Sequence, residues 1–198
     1  MTDKKTLIRN CGKDLFSSKG FKDTNVVEIT KMAGVATGTF YNYYASKEKL
    51  FMDLFLEENA KLKKDIMKSI DLNGDPVNVV KEMMFLNDQG MKVNSILREW
   101  YNKDVFAKIE QNYREENGLD SVGFLYDSFI EIVKRWQIEG KMRHDIDAEM
   151  IMAIFAALIN VDTHKEEVGL QYFPQVLEHL TEFALTGLTD CSARGTNK

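Results

Sequence analysis

The chain of 198 residues carries a formal net charge of −5, and 44% of its residues are hydrophobic. A chain of this length and composition can bury a core and a small second domain, which excludes a disordered protein. The first ten residues contain no apolar signal sequence, and the longest apolar run, at residues 150–159, is half of the ~20 residues that a membrane-spanning helix needs. Two cysteines, Cys11 and Cys191, are too few for a disulfide framework. We therefore expect a cytoplasmic protein that does not span a membrane.

The charge is divided unevenly along the chain. Residues 1–50 contain nine basic and five acidic residues, a balance of +4, and the rest of the chain has a balance of −9. A basic N-terminal part beside an acidic remainder favours contact of the first 50 residues with an anionic partner such as DNA.

Two helices are predicted before residue 34. Apolar residues recur at helical spacing from Asp3 to Ser18, and Gly20 ends this first helix. Asn25 can cap a second helix by accepting a hydrogen bond from a free backbone N–H. The residues predicted to face inward from the second helix are Val26, Ile29, Met32 and Ala33.

A tight corner and a third helix follow. Gly34 can adopt a left-handed turn without a Cβ clash, which ends the second helix. Ala36 or Thr37 then begins a third helix in which Phe40 and Tyr44, four residues apart, face inward. The order of helix, corner and helix predicts a helix-turn-helix.

The outward positions of the third helix suit contact with DNA. Gly38 would let the backbone approach a base or a phosphate closely, and Asn42 could form two hydrogen bonds with an adenine edge. Several side chains could bind phosphate oxygens, namely Thr39, Tyr41, Tyr43 and Lys47. The alternative interpretation is a solvated polar helix face with tyrosines that fill a core.

The segment GFKDTNVVEITKMAGVATGTFYNYYASKEKLF resembles the N-terminal DNA-binding domain of the TetR family of bacterial transcriptional regulators. The resemblance covers Leu7 to about Phe51 and implies that the third helix enters the major groove. It also implies that Lys47 holds a backbone phosphate at the start of the next helix. The complete predicted DNA-binding set is Thr24, Asn25, Thr37, Gly38, Thr39, Tyr41, Asn42, Tyr43 and Lys47.

Two positions depart from the family pattern. Ala36 stands where the family often has a capping serine, so Thr37 is expected to take that role. Val27 stands where many members carry arginine or another long polar group, which changes the bases that can be read from the second helix.

The remainder of the chain reads as helices without strand signals. Ser46 caps a fourth helix that runs to about Ile70, where an Asn-Gly-Asp-Pro segment breaks it. The further predicted helices are Pro76 to Gly90, Asn94 to Trp100, Asp104 to Glu115, Leu119 to Glu139, Ala148 to about Glu167, and Tyr172 to Leu185. We predict an all-α fold of nine or ten helices. Residues 1–46 would form the helix-turn-helix domain, residues 47–190 a helical effector-binding and dimerisation domain, and residues 191–198 a disordered tail.

The last two helices are more apolar than one monomer core requires, which predicts a homodimer. Two copies would form a four-helix interface and place two recognition helices roughly 34 to 36 Å apart on a near-palindromic operator. The alternative is that these helices complete a monomeric core. The residues predicted at the interface are Ile151, Ile154, Ala157, Leu158, Val176, Leu180 and Phe183.

The middle helices are rich in aromatic residues and methionine, which are core residues more often than ligand-binding residues. The family resemblance nevertheless implies an effector pocket among these helices. We predict a largely apolar small-molecule effector, with Asn87 or Arg98 orienting it. The aromatic residues predicted to line the pocket are Trp100, Tyr101, Phe106, Phe124 and Phe129.

No catalytic or metal-binding pattern is present. The three histidines His144, His164 and His179 are scattered, and no nucleophile elbow, phosphate-binding glycine loop or CxxC motif occurs. We predict no enzymatic activity and no cofactor. The predicted function is a dimeric repressor that a small effector releases from its operator. The alternative is a dimeric protein-interaction adaptor that keeps the fold without sequence-specific DNA binding.

Overall fold

The computed structural model describes residues 3–115, 123–164, 168–173 and 175–191. These residues form nine α-helices and two short 3-10 turns, and none of them lies in a strand, which confirms the predicted all-α fold. The helices are α1 Lys4–Lys19, α2 Val26–Met32, α3 Thr37–Tyr41, α4 Lys47–Ser69, α5 Pro76–Val93, α6 Lys103–Glu115, α7 Gly123–Ile138, α8 Ala148–Thr163 and α9 Gln175–Thr189. The 3-10 turns are Leu97–Tyr101 and Leu170–Tyr172.

The chain divides into two compact units. Unit 1 contains residues 1–68 and 85–122, and unit 2 contains residues 69–84 and 123–198. The domain boundary predicted at residue 46 falls inside unit 1. The assignment of DNA binding to the residues before it and of effector binding and dimerisation to those after it stays a prediction. Of the predicted disordered tail, only Cys191 lies within the described residues.

Aromatic rings fill the core of unit 1. The ring centroid of Phe51 on α4 lies 5.1 Å from that of Phe16 on α1 and 5.0 Å from that of Phe21 in the following loop. Further along α4, Phe55 packs at 5.7 Å from Trp100 of the first 3-10 turn. The three helices of the predicted DNA-binding domain therefore share one core with α4 and with the turn after α5.

Two glycines allow close approach of helices to α4. A Cβ at Gly12 of α1 would lie 2.7 Å from Leu50 Cδ2, and Leu50 is fully buried. A Cβ at Gly90 of α5 would overlap the side chain of Leu62. The prediction that α5 ends at Gly90 is wrong, because the helix continues to Val93 and the glycine serves packing rather than termination.

A buried carboxylate joins three segments of unit 1. Glu58 of α4 is 8% exposed, and its Oε1 accepts a hydrogen bond from Lys13 Nζ at 2.5 Å. Its Oε2 accepts one from Asn94 Nδ2 at 2.7 Å. Burial raises the pKa of Glu58, but the hydrogen bonds from Lys13 and Asn94 outweigh it and hold the pKa below the ordinary value of 4.5.

We expect acid to weaken unit 1 through Glu58. Because the pKa is lower in the folded state, the ionised group stabilises the fold above about pH 4.5, and this stabilisation is lost as pH falls through the folded-state pKa. Glu58→Gln should reduce the free energy of unfolding by about 1–3 kcal/mol at pH 7, and this difference should shrink as pH falls through the folded-state pKa of Glu58. Urea titrations between pH 3 and 7 measure it. Glu57→Gln is the control, since its ion pair with Arg9 is exposed and should contribute less than about 1 kcal/mol.

Unit 2 is built around Trp136 of α7. Trp136 is fully buried, and its ring lies 6.2 Å from that of Phe129 in an edge-to-face arrangement. The Asp147 side chain caps α8 by accepting from the Met150 backbone N–H at 2.7 Å. Ile151 is also fully buried in this single chain, so its predicted place in a dimer interface is wrong. An apolar helix hides its innermost residues in its own core, and periodicity alone does not distinguish them from interface residues.

Candidate nucleic-acid interface

The corner between α2 and α3 has the predicted geometry. Asn25 caps α2, with its Oδ1 accepting from the Glu28 backbone N–H at 3.0 Å. Gly34 has φ +66°, the left-handed conformation that a residue without Cβ adopts readily. The Val35 N–H then donates to the Thr30 carbonyl at 3.0 Å and closes the corner onto α2. These contacts fix where α3 begins.

α3 is a short helix with one buried face. It contains five residues, and Phe40 is fully buried while Tyr44, just beyond its end, is 7% exposed. Ala36 occupies the N-cap position without a side-chain hydrogen bond, so the prediction that Thr37 caps the helix is wrong. Thr37 is instead the first helical residue, and its hydroxyl oxygen lies 3.4 Å from that of Thr30.

Most of the predicted DNA-binding residues lie on the protein surface. Asn25, Thr37, Gly38, Tyr41, Asn42 and Tyr43 are exposed, and Thr39 is half-buried. Tyr41 is 56% exposed although it is a large aromatic residue. A Cβ at Gly38 would meet no atom within 4 Å, so packing inside the protein does not require glycine at this position.

Thr24 does not present its side chain to this surface. It is 1% exposed, and its hydroxyl donates to the Gly20 carbonyl at 2.8 Å inside the loop between α1 and α2. Its predicted role as a DNA-contacting side chain is therefore wrong. A polar residue beside a helix start can satisfy the loop backbone as readily as an external partner, and the sequence does not separate these roles.

Lys47, the first residue of α4, stabilises the loop between α1 and α2. Its Nζ donates to the carbonyls of Phe21 and Thr24, each at 2.8 Å, and lies 4.3 Å from the centroid of the Phe21 ring. Burial lowers the pKa of Lys47 below its ordinary value. The prediction that Lys47 serves only as a phosphate ligand is corrected. Two of the three N–H groups of its ammonium donate to carbonyls of the protein itself.

We expect Lys47→Met to weaken folding as well as DNA binding. The loss of the donor leaves the Phe21 and Thr24 carbonyls without this partner, which should cost about 1–3 kcal/mol of unfolding free energy. Chemical denaturation of the free protein measures this cost. Lys31→Met is the matched control, because Lys31 is exposed on α2 and its replacement should change the free energy by less than about 0.5 kcal/mol. Equal stabilities of the two variants would contradict the stabilising role of Lys47.

Sequence reasoning also misplaced one apolar residue and missed two charged ones. Met32 is 52% exposed rather than inward, because a seven-residue helix offers too few turns to define its inner face. Asp53 and Arg9 were not singled out, although the Tyr44 hydroxyl donates to Asp53 Oδ2 at 2.9 Å and Arg9 Nε donates to the same oxygen at 3.0 Å. Arg9 and Asp53 are 44 residues apart, and no local pattern links them.

The residues predicted to bind an effector do not form one apolar cage. Trp100 and Phe106 are 4% and 3% exposed and pack edge-to-face at 5.0 Å in the core of unit 1, so their predicted role as pocket lining is wrong. Asn87 accepts a hydrogen bond from Lys63 Nζ. Phe129 belongs to the core of unit 2, and the side chain of Phe124 lies outside the described residues.

Arg98 and Tyr101, the other two residues of that set, line an open groove of about 420 Å³ in unit 1. The groove lies between the end of α1 and the first 3-10 turn, and its other lining residues are Ser18, Lys19, Gly20, Glu99 and Asn102. Buried Glu99 accepts from the Phe21 backbone N–H at 3.0 Å and from Asn102 Nδ2 at 2.8 Å. The floor of the groove is therefore joined to the loop that leads into α2.

The described residues contain no group of three or more potential metal ligands close enough to hold an ion. Among the same residues, every helix is too short or too polar to cross a bilayer.

A short exposed helix behind a glycine corner, backed by a three-helix core, defines this molecule as a helix-turn-helix protein. Residues 8–54 match the sequence model described as bacterial regulatory proteins, tetR family. Residues 8–54 therefore carry the N-terminal domain of the TetR family, and the relatives that match most of the chain are named HTH-type transcriptional regulators rather than enzymes.

Similar proteins extend the likeness beyond the N-terminal part. The HTH-type transcriptional regulator YdgC of Bacillus subtilis is 27% identical over 180 residues, which cover 88% of this chain and 78% of YdgC. The HTH-type transcriptional repressor NicS of Pseudomonas putida is 27% identical over 76% of this chain and 72% of its own. The solved structure of Thermus thermophilus FadR, a TetR family repressor in complex with lauroyl-CoA, has a TM-score of 0.59 at 23% identity over 98% of this chain and 97% of its own.

Proposed function

We propose that the protein is a dimeric repressor that binds a near-palindromic operator through α3 and is released by a small-molecule effector. The observation that carries this proposal is the surface of α3, where predicted base-reading and phosphate-binding groups are exposed together around a buried Phe40. The repressor NicS and the repressor FadR support the direction of regulation. Because bacterial operators lie on the chromosome, we place this activity in the cytoplasm.

Two residues of α3 suit close contact with bases. Gly38 is exposed and its missing side chain serves no packing purpose in the free protein, which is expected where a backbone meets a base edge or phosphate. Asn42 follows the last helical residue, and its carboxamide can donate to and accept from one adenine. The exposed hydroxyls of Tyr41 and Tyr43 suit phosphate oxygens, which fix the position of the protein along the duplex.

The exposed faces of α8 and α9 support a dimer. On α8 the exposed residues include the small side chains Ala153, Ala156 and Ala157, which let a partner helix approach closely. On α9, Leu180 and Phe183 are 37% and 68% exposed. Exposed apolar residues at helical spacing on two neighbouring helices fit an isologous four-helix interface between two copies. Ile154, Leu158 and Val176 are half-buried and would complete its edge.

For the effector, the groove beside Arg98 and Tyr101 replaces the predicted aromatic cage. The guanidinium of exposed Arg98 can bind an anionic group, and the Tyr101 ring, 44% exposed, offers an apolar surface beside it. An effector with an apolar body and an anionic group fits this lining, and the lauroyl-CoA bound to the FadR relative has that character. Thermal-shift titrations with lauroyl-CoA, laurate and coenzyme A, repeated on Arg98→Ala, test this assignment. A stabilisation by lauroyl-CoA that Arg98→Ala leaves unchanged would reject it.

Selection of bound fragments from the source genome with the purified protein tests the DNA-binding proposal. We expect a fragment with two related half-sites whose centres are about one helical turn apart. The protein should prefer this fragment to a scrambled duplex of equal length by at least about 10³-fold, and binding to both should weaken steeply with salt. Equal binding to both duplexes would favour the adaptor interpretation.

We expect Asn42→Ala to lose discrimination at one base pair of each half-site by about 1–3 kcal/mol. The alanine variant removes the amide that can pair with an adenine edge but leaves the charge of the surface unchanged. Competition titrations with operators that carry each base at each position measure this effect. Asn10→Ala, on an exposed part of α1, is the control and should keep the base preference of the wild type.

A further inference from the structure

α3 is too short to hold its own orientation. It has five residues, and just beyond its end the backbone N–H groups of Tyr43 and Tyr44 return to the Phe40 carbonyl at 2.9 and 3.0 Å. An isolated helix of this length is unstable in water, so its orientation depends on contacts with other parts of the protein. The corner at Val35 fixes where the helix begins, and a separate contact must fix where it ends.

A hydrogen-bonded chain of three side chains supplies that contact. The Tyr44 hydroxyl, just after α3, donates to Asp53 Oδ2 on α4 at 2.9 Å. Arg9 Nε on α1 donates to the same oxygen at 3.0 Å, and another Arg9 nitrogen donates to Glu57. Asp53 Oδ2 therefore accepts one hydrogen bond from α1, through Arg9, and one from the segment after α3, through Tyr44.

We propose that Asp53, held by Arg9, is a positioning residue that sets the orientation of the recognition helix through the Tyr44 hydroxyl. Phe40 anchors the same helix, but an apolar contact does not prescribe a direction, whereas a hydrogen bond does. The Tyr44 ring is itself 7% exposed, so its hydroxyl has a defined position from which to meet Asp53. Lys5 Nζ also lies over that ring, 5.7 Å from its centroid.

Orientation matters more for base contacts than for phosphate contacts. A bidentate contact with a base edge requires correct distance and angle, while attraction to phosphates persists when the helix tilts slightly. Loss of the Tyr44–Asp53 hydrogen bond should therefore reduce the preference for operator over unrelated DNA. A loss of folded protein alone would lower the apparent affinity for both duplexes by the same factor.

A double-mutant cycle tests this proposal. Tyr44→Phe, Asp53→Ala and the double variant are titrated with the genome-selected operator and with a scrambled duplex of equal length. We expect each single variant to lower the ratio of operator affinity to scrambled affinity by about three- to tenfold, because the bond involves a charged acceptor that is 44% exposed. The double variant should lose no more than the larger single effect. Because Asp53→Ala also removes a negative charge, the ratio is used, in which general attraction to DNA cancels.

Tyr126→Phe is the matched control. Tyr126 is 43% exposed on α7 in unit 2, and loss of its hydroxyl should leave the affinity ratio unchanged. Thermal unfolding by circular dichroism establishes that each variant is folded at the titration temperature. An unchanged ratio in Tyr44→Phe, or single effects that multiply in the double variant, would overturn the proposal.

Discussion

Phe51→Ala is expected to lower the free energy of unfolding by about 3–5 kcal/mol, which is a large part of the stability of an ordinary domain. Phe51 is 1% exposed, and its ring contacts Phe16 and Phe21 edge-to-face at 5.1 and 5.0 Å. Alanine would remove these contacts and leave a cavity between α1, α4 and the loop that precedes α2. We expect the variant to lose DNA binding near its lowered melting temperature.

The matched control for this substitution is Phe85→Ala. Phe85 also belongs to unit 1 but is 63% exposed, so the same change of side chain should cost less than about 1 kcal/mol. Urea unfolding followed by circular dichroism measures both variants under the same conditions. Comparable losses in the two variants would show that the aromatic cluster around Phe51 is not the main source of stability in unit 1.

Phe183→Glu is expected to convert the proposed dimer to monomers and to weaken operator binding by more than about 100-fold. Phe183 is 68% exposed on α9, and its ring stacks on His179 at 6.2 Å. In a symmetric dimer both copies would place a carboxylate in an apolar interface, where an unpaired charge costs several kcal/mol. Loss of the dimer also means that the two half-sites are bound by separate monomers, which lowers the affinity for the whole operator.

Ile138→Glu is the control for the interface. Ile138 is 87% exposed at the end of α7, and an added charge there should leave the oligomeric state unchanged. Sedimentation velocity over a range of protein concentrations gives the association state, and titration with the intact operator gives the affinity. A Phe183→Glu variant that sediments as the wild type and binds the operator equally well would contradict the proposed interface.

Local patterns predicted the helices and the corner of the DNA-binding part well. Asn25 as a cap, Gly34 as a left-handed corner and Phe40 as an inward residue follow from interactions within a few residues. The resemblance to the TetR family follows from the same segment, which the sequence model matches from residue 8 to 54. These features were predictable because the chemistry that determines them lies within one or two helical turns.

The predictions that failed depend on which partner a side chain meets, and that partner can be local, as for Thr24, or distant in sequence, as for Lys47 and Trp100. Thr24 and Lys47 look like DNA ligands in the sequence, but both donate hydrogen bonds to backbone carbonyls of the loop between α1 and α2. Trp100 looks like a ligand-binding aromatic residue, but its ring packs against Phe55 on α4. A polar or aromatic residue type defines what a side chain can bind, and only the fold determines which partner it meets.

The carboxylate of Glu99 makes one of the contacts that we expect the N-terminal segment to need in order to fold. It accepts from the Phe21 N–H, 78 residues earlier in the chain, and nearby Trp100 packs on Phe55. A fragment that stops at residue 46 would lack this acceptor, as well as the Phe51 ring of α4 that contacts Phe16 and Phe21. We expect such a fragment to be poorly folded, so that grafting this recognition helix onto another protein requires residues from well beyond the motif.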